Sequence, residues 1–176
     1  MQKLILKFGL IAGSIVSAFM LISISFIGDL IDFGTGEILG YISMIAALSA
    51  VFIGIKSYRD KELNGTIGFA KAFQVGLLIT LVASLIYVIS WVIYINTSDS
   101  DFINDYKAYM IAELEKSAES QEVMEQKLAE IESATEMYQN PIAQIAITFL
   151  EIFPVGLLVS LIAAALLQKK PAANPI

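Results

Sequence analysis

The chain reads as four long uncharged stretches separated by charged connections. No charged residue occurs at 8–28, 38–55 or 72–98, and a fourth stretch, 140–168, carries only Glu151. A bilayer core about 30 Å thick takes about 20 residues of helix. Each stretch therefore predicts a membrane-spanning helix, the second by the smallest margin. The expected spans are 8–28, 38–55, 69–95 and 142–167. Helices buried in a water-soluble core would need polar faces, and these stretches have none wide enough. Lys3 and Lys7 before the first stretch imitate a signal peptide. Its apolar length exceeds the roughly 7–15 residues of a signal core, and no small-x-small site followed by polar sequence closes it, so a retained helix is expected.

The connections give direction to the spans. Lys3 and Lys7, then Lys56, Arg59, Lys61 and Lys71, then Lys169 and Lys170, fall at the chain start, the second connection and the chain end. The first connection, 29–37, has three acids and no base. Positive charge collects on the cytoplasmic side, so both termini are expected in the cytoplasm and the bundle is expected to run up and down, antiparallel. Tyr41, Trp91 and Tyr94 at the opposite ends suit an interfacial aromatic belt. In the second connection Gly65 can end a helix in the left-handed conformation and Thr66 can cap the next. Lys71, one turn into the third span, is expected to reach back to the headgroups.

The third connection is different. Residues 96–140 hold eleven acids and three lysines, a net charge of −8, whereas the whole chain nets −6. Phe102, Tyr106, Tyr109, Met110 and Leu114 recur at helical spacing, as do Met124, Leu128, Ile131, Thr135 and Tyr138. Ser98 or Asp99 can cap the first of these helices and Ser120 the second, and Pro141 can open the fourth span. The pattern predicts an extracytoplasmic helical hairpin inserted between spans three and four, its arms zipped by the two stripes. Asp99, Asp101 and Asp105 lack the glycine and spacing of a calcium loop. The segment's own negative charge disfavours lying on anionic lipid.

Composition narrows the chemistry. Hydrophobic residues make up 57% and charged residues 16%, and there is no cysteine or histidine. That removes disulfides, thiolates, imidazole bases and most transition-metal sites. An acidic balance gives nucleic acid nothing to bind. No cofactor is expected. An enzyme would need a serine or paired-carboxylate mechanism, and no serine–lysine pair or close acid pair is visible.

Within the spans, Gly9, Gly13 and Ser17 form one row of small residues and Gly76, Thr80 and Ser84 another, both suited to close helix packing. Matching Gly9 to Gly76 also aligns Ser17 with Ser84 and Ser23 with Ser90, a weak hint of a duplicated two-helix unit. Glu151 is the one charge-capable residue well inside a span. Gln144 and Thr148 share its helical face, and Ser23, Tyr87 and Ser90 fall at matching depth, so a small intramembrane polar site is expected. Glu151 should donate a hydrogen bond there, Tyr87 or Ser90 accepting, with no second acid or base at its level. Pro154 permits a kink.

Two stretches, FIGIKSYRDKELNGTIGFAKAFQVGLLITLVASLIYVISWVIY at 52–94 and TFLEIFPVGLLVSLIAAALL at 148–167, resemble the bacterial inner-membrane family designated domain of unknown function 4199. The KFGLIAG start and the acidic segment ending MYQNP resemble it too, so the similarity covers nearly the whole chain. It implies a small four-span protein with a helical segment between spans three and four, and no activity, substrate or cofactor. Two functions follow as expectations. The first is a non-enzymatic structural or assembly component, forming a homo-oligomer or joining a larger membrane complex through the hairpin. The second is a small proton-coupled transporter or channel using Glu151.

The absence of cysteine makes topology directly measurable. Single cysteines at Thr35 and Ser117 should react with an impermeant thiol reagent applied to intact spheroplasts, and one at Asn64 should not. Labelling at Asn64 would overturn the lysine argument.

Overall fold

The structure, a computed structural model, describes residues 1–27, 30–98, 101–117 and 120–169. Gly28, Asp29, the candidate cap Asp99 and the terminal Lys170 lie outside the described residues. The elements are α1 (Gln2–Ile24), α2 (Phe33–Leu48), α3 (Ala50–Glu62), α4 (Phe69–Thr97), α5 (Phe102–Lys116), α6 (Gln121–Tyr138) and α7 (Pro141–Leu167). Among the described residues there is no β-strand beyond isolated bridges. Four helices are long and apolar enough to cross a membrane: α1, α2 with α3 as one 30-residue stretch, α4 and α7.

Local chemistry sets the helix limits, and not always where charge suggested. Asp32 caps α2: its carboxylate accepts from the Thr35 amide at 2.9 Å and the Thr35 hydroxyl at 2.7 Å. These bonds hold the Asp32 carboxyl below the usual carboxylate range. The helix thus starts at Phe33, before the uncharged stretch, and the second span gains length at both ends. Only Ser49, whose hydroxyl donates to the Ala46 carbonyl at 2.6 Å, separates α2 from α3. Beyond α3 the chain turns through Asn64 and Gly65 at φ of 51° and 83°. Thr66 does not cap α4. Gly68 holds that position, and the Thr66 hydroxyl donates back to Leu63 at 3.3 Å. Ser98 ends α4 and Asp101 precedes α5, so Ser98 does not cap α5. Ser120 caps α6, and Asn140 caps α7 with Pro141 in its first turn.

The spans bury small residues at their seams beside large ones such as Leu48, Ile55, Ile79 and Ile152, and turn many other large residues outward. Leu6, Ile42, Ile89, Leu150 and Leu166 are each more than half exposed, whereas Ala12, Ala72, Thr80, Ala83, Ser84, Ser160 and Ala164 are fully buried. That is the distribution expected where the surrounding solvent is lipid and helices associate by close approach. α4 is the central helix, packed on α1, α3 and α7. Gly9 and Gly13 bring α1 onto it: a methyl at Gly13 would stand 2.8 Å from Ile86 Cβ and 3.1 Å from the Ala83 carbonyl. Gly76, Thr80 and Ser84 face elsewhere, towards α3 and α7. Gly76 meets Ile55 and Ser160, and Thr80 lies against Gly156. The Thr80 hydroxyl is 3.2 Å from the Gly156 carbonyl and 3.0 Å from the Ser160 hydroxyl, which itself donates to Gly156 at 2.7 Å. Ser17 and Ser84 are buried with hydroxyls that find no partner, so they serve by being small.

One end of the bundle gathers the basic connections. The Met1 ammonium pairs with Glu62 at 2.5 Å, Arg59 donates to the terminal Leu167 carbonyl of α7 at 3.2 Å, and Ile67 and Lys169 exchange backbone hydrogen bonds at 2.9 and 2.8 Å. The arginine satisfies a carbonyl that a helix C-terminus otherwise leaves open.

Seam packing predicts an asymmetry among glycines. Gly13→Leu should cost about 1–3 kcal/mol by overpacking, read as a lower melting temperature in detergent. A Cβ at Gly40 meets nothing within 4 Å, so Gly40→Ala should melt at or above the native temperature. Equal melting of the two variants would refute the close approach at Gly13.

Candidate functional site: a cavity beneath α5

At the end of the bundle opposite the basic connections the helices border a half-open cavity of about 470 Å³. Met20 and Ser23 of α1, Glu37 and Tyr41 of α2, Tyr87 and Trp91 of α4 and Ile147 and Glu151 of α7 form its walls. Phe102, Tyr106 and Lys107 of α5 and Ile131 and Tyr138 of α6 close it over.

The covering helices are held by rings. Phe33, first residue of α2, lies 5.5 Å from Phe102, 5.5 Å from Tyr106 and 5.3 Å from Tyr109, centroid to centroid. Trp91 meets Phe102 edge-on at 5.4 Å, a favoured geometry. The aromatic part of the α5 stripe therefore packs on the spans, where sequence spacing suggested α6. Only its apolar end turns to α6: Met110 and Leu114 share an open hollow with Ile131 and Ala134. Lys107 on α5 reaches Glu132 on α6 at 3.8 Å.

Beside the cavity runs a partly buried hydrogen-bonded layer. The Asn96 amide donates to Gln144 at 3.2 Å, the Thr148 hydroxyl donates to the Gln144 carbonyl at 2.8 Å, and Tyr138 and Thr148 hydroxyls are 3.3 Å apart. The Trp91 indole N–H donates to the Tyr138 hydroxyl. With the Thr148 proton given to Gln144, Tyr138 is the donor to Thr148. Burial pushes the Tyr138 hydroxyl above its ordinary value, the two hydrogen bonds opposing it. Tyr106 is raised as well, by burial first and then by the negative charge of Glu37. Both phenols stay protonated at neutral pH, and Tyr138 uses its proton on Thr148.

The residues singled out in the sequence separate into groups. Glu151, Tyr87 and Ser23 line the cavity. The Glu151 carboxyl faces the Tyr87 hydroxyl. Gln144 and Thr148 are buried at 6% and 2% exposure in the adjoining layer. Ser90 is half-buried and outside the cavity wall. Glu151 and Glu37 are both exposed although each sits inside a span, and both line the cavity.

Two expectations need correction. Glu151 was expected alone at its level, yet Glu37 lines the same cavity and acts on it electrostatically. The signal for this was the Asp32–Thr35 cap, which starts α2 early and carries Glu37 into its second turn. Trp91 was expected among headgroups. It is 9% exposed, because its N–H has a partner in Tyr138 and its ring in Phe102.

Tyr138→Phe removes the acceptor of the indole. Trp91, the sole tryptophan, should change its emission wavelength, and detergent melting should show a loss of about 1 kcal/mol, typical of one interhelical hydrogen bond. Unchanged emission would mean the indole does not use Tyr138.

No curated protein and no solved structure matches the chain. The family described as "Protein of unknown function (DUF4199)" matches over residues 7–169, nearly the full length, and the chain belongs to that family.

Proposed function

We propose that this is a non-enzymatic membrane protein that binds a small, largely apolar molecule in the cavity beneath α5. The carrying observation is the cavity itself. Its volume of about 470 Å³ falls within the roughly 300–1,000 Å³ of small-molecule sites, and apolar walls with a few convergent polar groups are their usual lining. In this reading the spans form an antiparallel up-and-down bundle in a bacterial cytoplasmic membrane. The registers of Gly13 with Ile86, and of Gly76 with Ser160, support that arrangement. The gathering of Met1, Arg59 and Lys169 at one end supports placing both termini in the cytoplasm under the positive-inside rule. α5 and α6 are then an extracytoplasmic hairpin, and the Lys107–Glu132 pair supports their lying side by side.

A purely assembling role through the hairpin is the weaker reading, because the α5 rings are already engaged by Phe33 and Trp91. Proton-coupled transport through Glu151 is favoured by one observation, the presence of Glu37 in the same cavity, and would use the same bound molecule.

Trp91 makes binding visible. Bromododecanol added to nanodiscs containing the protein should quench Trp91 saturably. Gly40→Phe, which projects a ring where Gly40 now meets nothing within 4 Å, should abolish the saturable part while the protein still melts cooperatively. Quenching that rises only in proportion to probe in the bilayer, unaltered by Gly40→Phe, would sink the proposal.

A further inference from the structure

We infer that the molecule this cavity takes is a lipophilic organic cation, held by Glu37 and Glu151 against aromatic walls. The inference rests on the binding role proposed above and adds the charge of the ligand.

Charge on the walls is the first argument. Glu37 enters from α2 and Glu151 from α7, so two exposed acids from different spans border one half-open cavity. The one basic side chain there, Lys107, is directed to Glu132, a 68% exposed residue on α6, at 3.8 Å. An anion would be repelled by both carboxylates, and a neutral occupant would gain nothing from their charge. A cation supplies what both lack.

The rings argue the same way. Tyr41, Tyr87, Trp91 and Tyr106 present aromatic surface to the same space. Aromatic faces attract cations, and quaternary ammonium groups are recognised by such walls. The occupant is organic: calcium asks for about six to eight oxygen ligands, and among the described residues no group of three or more acids is placed to hold a metal.

The approach to the site is charged to match. Residues 96–140, which include the covering helices, net −8. A surface of one sign raises the local concentration of the opposite ion and its rate of entry. The same field would hinder an anionic lipid or metabolite.

A matched set of probes separates this inference from the binding role beneath it. 4-Phenylbutyl-trimethylammonium, its uncharged isostere with carbon in place of nitrogen, and 4-phenylbutyl sulfonate would be titrated against Trp91 emission in nanodiscs of zwitterionic lipid. The ammonium should bind about tenfold more tightly than the isostere, a typical worth for a desolvated cation–aromatic contact, and the sulfonate weakest. Glu37→Gln and Glu151→Gln should each reduce that ratio and together remove it. Retained binding of the uncharged isostere by the double variant shows that the cavity still forms. Lys107→Met should leave the ratio unchanged or raise it. Equal binding of ammonium and isostere, a preference for the sulfonate, or a ratio unaltered in the double variant overturns the cation while leaving the binding role intact. No binding by any of the three overturns both.

Discussion

The close approach of α4 to its neighbours at small residues is the contact on which the rest of the architecture depends. In lipid the hydrocarbon surroundings are as apolar as leucine, so helices gain nothing by hiding leucine from them and associate by backbone proximity and dispersion. Gly9 and Gly13 admit α4 to α1, and Gly156 admits Thr80 to α7. The Thr80–Ser160–Gly156 hydrogen bonds then fix the rotation of α7 about its own axis. Towards the cavity the side chains of three spans become larger. α1 passes from Gly13 and Ser17 to Met20, α4 from Thr80 and Ser84 to Tyr87 and Trp91, and α7, read backwards, from Gly156 to Glu151. α2 adds Gly36 and Gly40 to the cavity wall. Packing seam and candidate site therefore lie along one gradient of side-chain size in α1, α4 and α7.

The acidic segment covers part of the cavity with α5 and α6. The cover depends on a cap: Asp32 begins α2 in the register that places Phe33 at its first turn, and three α5 rings gather around Phe33. Trp91 supplies the second anchor from α4. α6 contributes Tyr138, whose hydroxyl joins the indole to Thr148 of α7. The acidic segment is thus held to the spans by its apolar stripes, and the acids of α5 and α6 are left exposed.

The four spans were legible because lipid imposes a one-dimensional rule, a run of about 20 residues free of charge, and such a rule survives in the sequence as it stands. Small-residue rows were legible for a similar reason, being periodic on a single helix. Their partners were not. Gly156 and Ser160 opposite Thr80, and Ile86 opposite Gly13, depend on how two helices are aligned, and no periodicity on one helix records that. Glu37 was read as part of a connection because charge was taken as the helix limit, whereas the Asp32 cap had already moved the limit. Trp91 was read by the habit of its residue type. Its burial needs Tyr138, 47 positions away, and such a pairing has no local mark.

Glu151 shows how tightly the two ends of the gradient are joined. A carboxyl inside a span is costly against hydrocarbon and tolerable against protein or water. The buried face of α7 runs through Gln144, Thr148, Ile152, Gly156 and Ser160, with Leu150 turned outward at 65% exposure. Glu151 lies between these faces and, with Ile147, borders the cavity. Each residue of α7 is about 100° from the next, since a turn takes about 3.6 residues. A rotation of one residue in the direction of Leu150 would therefore bring the carboxyl to the lipid surface. What prevents it lies more than a turn away, where Gly156 has no side chain to yield and Thr80 and Ser160 hydrogen-bond across the gap. The acid can be kept in a span because the seam holds α7 in the one orientation that opens it to the cavity.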